Sequence, residues 1–203
     1  MKNVPTNKSF RKKQNLKLKF LLIPLTLFLT ISVIFISTFQ SKMYNSNLRK
    51  KIYNSMTKSK NRITAYNKAV NLNNGASANT CVYFLSEVLR MNGEKINNSV
   101  CNTNQLLDIM KEEGWKKEKN YKKLRPGDIC FTTDSKLNKY GTPSHTYIFM
   151  KWKEKGKYDY AYVCDNQAKD YDWKIYHIRN IAKVDYSNGH SKDPFSFFMY
   201  KRD

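Results

Sequence analysis

Apolar and polar positions follow three different regimes along this chain. From Phe20 to Phe39 the sequence is almost continuously apolar, with no charge across 20 positions. That is about the length an α-helix needs to cross a hydrocarbon core of ~30 Å. Pro24 falls in its first turn, where a missing N–H is tolerated. From Asn45 to Asn73, Leu48, Ile52, Met56, Ile63, Tyr66 and Val70 recur near helical spacing in a basic background. This predicts one loosely amphipathic helix, its first half a stalk and its second half part of a domain. Ser77 or Asn79 is placed to cap a further helix running through Phe84, Leu85, Val88 and Leu89 to Asn92-Gly93. Thr103 is the expected cap of a short helix carrying Leu106, Leu107 and Met110, closed by Gly114-Trp115.

The period changes after Leu124-Arg125-Pro126-Gly127-Asp128, a tight-turn sequence. Runs rich in aromatic and β-branched residues follow at 129–132, 146–152, 158–164, 173–178 and 195–200. Helices first and strands after predict an α+β domain with an antiparallel sheet. The resulting organisation is a basic tail at 1–19, a transmembrane anchor at 20–39, a basic helical stalk at 40–59 and a folded domain at 60–203.

Charge orients this plan. Residues 1–86 hold 15 Lys/Arg and no acid, while 87–203 hold 22 Lys/Arg against 16 acids. Seven Lys/Arg precede the apolar run and four follow within 15 residues, which puts the N-terminus in the cytoplasm and the C-terminal domain outside the cell. A cleaved signal peptide is the rival reading. The apolar run exceeds the 7–15 residues of such a core, and no small-x-small cleavage site follows it. The basic excess has two explanations: Lys, Asn and Ile enrichment from an AT-rich genome, or attraction to anionic lipid or wall polymer. Lys-rich stretches such as 116–119 read as solvated faces, and an extracellular domain has no call for nucleic acid.

The candidate chemistry is a cysteine, a histidine and an acid-amide pair. Cys81 opens a helix, where free N–H groups and the positive dipole end favour a thiolate. His145 follows the loop Gly141-Thr142-Pro143-Ser144 and opens a strand, a position from which a general base reaches a cleft. Asp165 and Asn166 close the next strand; either one can accept from His145 and hold its tautomer, and alternation lets only one face it. Asp165 is preferred because a charge stabilises the imidazolium more strongly. Each residue alone also has a structural explanation: a buried Cys on an apolar stripe, a lone His, a turn-starting Asp-Asn. Cys101, Cys130 and Cys164 show no CxxC and no metal-ligand spacing, and no zinc or phosphate-loop motif occurs, so no metal or cofactor is expected.

Three segments in order, Ser-Ala-Asn-Thr-Cys81-Val-Tyr-Phe-Leu-Ser, Leu-Arg-Pro-Gly-Asp128-Ile-Cys-Phe and Ser-His145-Thr-Tyr-Ile-Phe-Met, resemble the NlpC/P60 and CHAP superfamily of papain-like cysteine hydrolases. The resemblance covers about residues 60–203. It implies a papain-like fold and hydrolysis of peptide or amide bonds, most often in peptidoglycan, with Cys81 as nucleophile and His145 as base. This chain departs from the family in the Asn79-Thr80 context of Cys81 and in Asp165-Asn166, where many relatives carry His. Two competing functions share the same cleft: a non-catalytic module that binds wall peptides or a protein, and a protease or transamidase acting on exported proteins.

Overall fold

A computed structural model describes residues 26–39 and 48–201. The chain divides into two compact units, one ending at Tyr44 and the other starting at Asn45. In the first unit residues 26–39 form a helix, with Leu27, Phe28, Ile31, Ile34 and Phe35 more than half exposed. Among the described residues no helix is long and apolar enough to cross a membrane. Residues 20–25 of the expected span, the tail at 1–19 and the segment 40–47 lie outside them.

The second unit is α+β, with helices packed against an antiparallel sheet. Residues 48–57 form α1, followed by α2 (Ser59–Leu72), α3 (Cys81–Met91) and α4 (Thr103–Glu112). The single helix expected over 45–73 is thus two. The break falls at Lys58, whose φ of −88° and ψ of 120° are extended. Arg62 spans the break, donating from Nη1 to the carbonyls of Met56 and Thr57 at 2.7 and 2.9 Å and so satisfying the open end of α1. Nor is α1 a stalk. Leu48, Ile52 and Met56 are buried in the same core as Phe84, Leu85 and Val88 of α3.

Eight strands follow: β1 (Lys116–Glu118), β2 (Ile129–Thr132), β3 (Thr146–Trp152), β4 (Tyr160–Cys164), β5 (Tyr176–Asn180), β6 (Asp185–Ser187), β7 (His190–Lys192) and β8 (Phe195–Tyr200). Six form one antiparallel sheet in the order β1-β8-β2-β3-β4-β5, and β6 and β7 pair separately. Both faces of the central strands are buried, and alternation divides them. Ile129, Phe131, Ile148 and Met150 join the helical core, while Cys130, Tyr147 and Phe149 join a second cluster with Val163, Phe195 and Phe198. Aromatic rings close that second face, including Phe149 against Trp152 at 4.9 Å between centroids.

The caps differ in detail from those expected. Thr80, not Ser77 or Asn79, precedes α3. Asn102 caps α4 through a capping box with Gln105, while Thr103 donates its hydroxyl to the Pro143 carbonyl. The Leu-Arg-Pro-Gly-Asp turn forms as predicted, Asp128 accepting from the Arg125 N–H at 2.7 Å. Gly127 is required there twice over. Its φ is +94°, and a Cβ would sit 2.2 Å from the Arg49 carbonyl oxygen of α1.

Candidate active site

The sheet order explains why distant residues meet. Strands β3 and β4 are antiparallel with Ile148 opposite Cys164, so the residue before β3 and the residue after β4 lie at one end of the sheet. Those residues are His145 and Asp165. The register also decides between the two acid-amide candidates. Continuing the pairing places Asp165 opposite Tyr147, on the side His145 shares by period two, and turns Asn166 away.

Asp165 is fully buried and accepts from His145 Nε2 at 2.9 Å. Its other oxygen accepts the Gln167 N–H at 2.8 Å, so both carboxylate oxygens are engaged. Asn166 instead donates to the Thr80 hydroxyl at 3.0 Å, and Thr80 donates to the Ser77 carbonyl at 2.8 Å. Asn166 therefore ties the end of β4 to the residue before Cys81, and Asp165 alone contacts the histidine. His145 is held from behind by β2: its N–H donates to Thr132 Oγ1 and its carbonyl accepts the Thr132 N–H.

Cys81 is the first residue of α3 and is half-buried, its thiol hydrogen-bonded with His145. A carboxylate only accepts, so His145 Nε2 carries the proton directed at Asp165 and Nδ1 is left for the sulphur. The electrostatics follow from this arrangement. Burial opposes a charged thiol, but His145 and the Thr146 and Val82 N–H groups outweigh it, holding the Cys81 thiol below its usual range. Burial also opposes an imidazolium; the hydrogen bonds and charges of Asp165 and Cys81 overcome it and push His145 up to about 9. Burial would raise the Asp165 carboxyl, yet His177, His145 and Arg179 hold it well below the usual carboxylate range. The resting pair is a thiolate beside an imidazolium, with an ionised carboxylate behind. Cys130 and Cys164 contrast with this: burial pushes both thiols well up, and both are closed off from solvent.

Two residues behind the carboxylate were not singled out from sequence. His177 on β5 is buried, its Nε2 3.7 Å from Asp165 Oδ2 and its Nδ1 donating to the Lys174 carbonyl at 3.0 Å. Its ring stacks on Tyr171 at 3.5 Å between centroids. Burial lowers its pKa, against the pull of the nearby carboxylate. Arg179, also on β5, is buried and donates to the Asp193 carbonyl at 2.7 Å, with Tyr147 under its guanidinium. The alternation of β5 puts His177 and Arg179 on one face; only the pairing of β5 with β4 brings that face to Asp165.

A sulphur nucleophile, a histidine able to shuttle one proton and a carboxylate fixing that histidine can carry out acyl transfer. Among the described residues no group of three or more His, Cys, Asp or Glu has the geometry to hold a metal ion. No family model, curated protein or solved structure matches this chain.

Proposed function

We propose that the chain is a cysteine hydrolase of papain-like type, related to the NlpC/P60 and CHAP superfamily, that cleaves peptide or amide bonds of peptidoglycan. The observation that carries this reading is the Cys81–His145–Asp165 constellation at the N-terminal end of α3. In this reading the Cys81 thiolate attacks a substrate carbonyl carbon. The oxyanion that forms is met by N–H groups of the first turn of α3, unpaired within the helix as at any helix start. His145 gives its Nδ1 proton to the departing amine, leaving a thioester on Cys81. It then takes a proton from water, the resulting hydroxide attacks the thioester carbonyl, and the C–S bond breaks to release the carboxylic acid and return Cys81 as a thiolate beside the imidazolium. Asp165 keeps the imidazole in the one tautomer that serves both steps.

The same proposal places the domain outside the cell, anchored through residues 20–39. Its support is the exposed apolar surface of helix 26–39 together with the charge asymmetry around it. Digestion of purified peptidoglycan by residues 45–203, followed by product analysis, tests the reading. Wild type is expected to release fragments bearing new amine and carboxyl ends. Cys81→Ala, with an unchanged circular dichroism spectrum, loses the activity by on the order of 10⁴-fold or more. Release at the wild-type rate by Cys81→Ala overturns the proposal, and cleavage of exported proteins but not of peptidoglycan moves the substrate to protein.

A further inference from the structure

Two imidazoles approach Asp165, and the proposed chemistry uses only one of them. His145 Nε2 lies 2.9 Å from Asp165 Oδ2, and His177 Nε2 lies 3.7 Å from the same oxygen. The other carboxylate oxygen, Oδ1, is occupied by the Gln167 N–H. The tautomer of His177 is fixed from its far side. A carbonyl only accepts, so His177 Nδ1 carries a proton for the Lys174 oxygen. In the neutral ring Nε2 is then a bare lone pair 3.7 Å from a carboxylate. It is buried, and among the described residues it has no hydrogen-bond partner. A proton on Nε2 satisfies that atom and turns its repulsion from Oδ2 into an ion pair.

The surroundings hold the ring in place and decide what its proton does. Tyr171, from the 3₁₀ helix Ala168–Tyr171, covers one face of the imidazole. On β5 itself, the Arg179 guanidinium opposes a second positive charge. Asp165, at the end of β4, favours one, and His145, ahead of β3, opposes one while it is an imidazolium. Coupling between two sites is reciprocal, so a proton on His177 weakens the hold of His145 on its own proton by the same amount. That proton also divides Oδ2 between two N–H donors. Cys81 lies across the His145 ring from Asp165. The added charge therefore acts more strongly on the imidazolium than on the thiolate beyond it.

From this geometry we propose that His177 is a positioning residue that acts as a proton-operated brake on the Cys81–His145 pair. Neutral His177 leaves Oδ2 wholly to His145. When a proton from solvent enters at His177 Nε2, His177 draws on the same oxygen, and the Nδ1 proton of His145 passes to the Cys81 sulphur. A neutral thiol beside a neutral imidazole results, which neither attacks a carbonyl nor protonates a leaving amine. Burial and Arg179 set this uptake below the ordinary histidine range, so the brake is off near neutrality and engages in acid. The inference rests on the hydrolase reading and adds the regulation of its site.

Iodoacetamide alkylation of the full chain, read at the Cys81 peptide by mass spectrometry, reports the thiolate without any substrate. The variant is His177→Phe, which keeps a ring for Tyr171 to stack on but takes no proton. In wild type the alkylation rate is expected to fall in acid with a slope approaching about two per pH unit, because His177 titrates together with the Cys81–His145 pair. In His177→Phe the slope drops to about one, so that one pH unit below the His177 midpoint the variant reacts up to about ten-fold faster than wild type. Superimposable acid limbs overturn the inference. So does a folded variant that reacts about ten-fold more slowly near neutrality, where the brake is off and only a structural role would show. Should His177→Phe fail to fold, the ring ¹⁵N resonances of His177 and His145 in wild type carry the test: a shared acid transition supports the brake, and independent titrations overturn it. If peptidoglycan is not cleaved while alkylation keeps its His177-dependent limb, the hydrolase reading falls and the brake stands.

Discussion

At the scale of single residues the decisive contrast is between Asp165 and Asn166, neighbours in sequence with opposite tasks. Asp165 spends both oxygens on the site, one on His145 and one on the Gln167 N–H. Asn166 braces the helix start through Thr80. Asp165→Asn is expected to keep the fold while lowering kcat by about 10³–10⁴-fold, because a carboxamide no longer fixes the imidazole tautomer or balances its charge. Asn166→Ala should cost about 1 kcal/mol of stability and lower kcat far less. Chemical denaturation and kinetics on the two variants read both effects, and equal losses in kcat would contradict the assignment. The Cys81–His145 pair makes a second prediction. With the thiol held below its ordinary range and His145 pushed up to about 9, the thiolate–imidazolium form persists from below the ordinary thiol range up to about pH 9. Activity should therefore fall as pH rises through about 9, where His145 loses the proton owed to the leaving amine. Iodoacetamide alkylation of Cys81 should titrate below the ordinary thiol range, and His145→Ala should return that midpoint upward.

At the scale of elements, legibility tracked how local the determining interaction was. Strands β2, β3 and β8 and the apolar face of α3 follow from side-chain period, because burial of both sheet faces and one helix face is written into consecutive residues. The break at Lys58 was not legible: neither Gly nor Pro marks it, and Arg62 closes it from the next helix. Strand β1 and the β6–β7 hairpin are three residues each and largely polar, below the length at which alternation is visible. Cys81, His145 and Asp165 were readable because each sits at an element boundary. His177 was not, since its relation to Asp165 exists only through the pairing of β4 with β5. Helix α1 carries the clearest consequence. Ile52→Ala should destabilise the domain by about 2–5 kcal/mol, and a chain beginning at residue 60 should fail to fold cooperatively, as thermal unfolding would reveal. A stalk would tolerate both changes.

At the scale of the whole molecule, net charge and architecture act together. From residue 45 onward, 29 Lys/Arg face 16 Asp/Glu, and this surplus of 13 is spread over a domain whose proposed substrate is an anionic polymer. Association with purified cell wall should weaken several-fold as salt rises from about 0.05 to 0.5 M, while kcat on a short peptide changes little. A cosedimentation assay measures the first and steady-state kinetics the second. The two ends of the domain share one further property. Its first described helix is core, through Leu48, Ile52 and Met56, and its last strand, β8, runs between β1 and β2. Under the proposed function a tether at one end and a stressed polymer in the cleft would put the domain under tension, and among the described residues the first element to meet that tension is α1. A pull at residue 48 loads the buried stripe of α1 and, through the Arg49 carbonyl lying over Gly127, the turn that leads into β2. Load entering at residue 48 is therefore carried by the packed core itself, so that yielding of α1 and yielding of the core are one event.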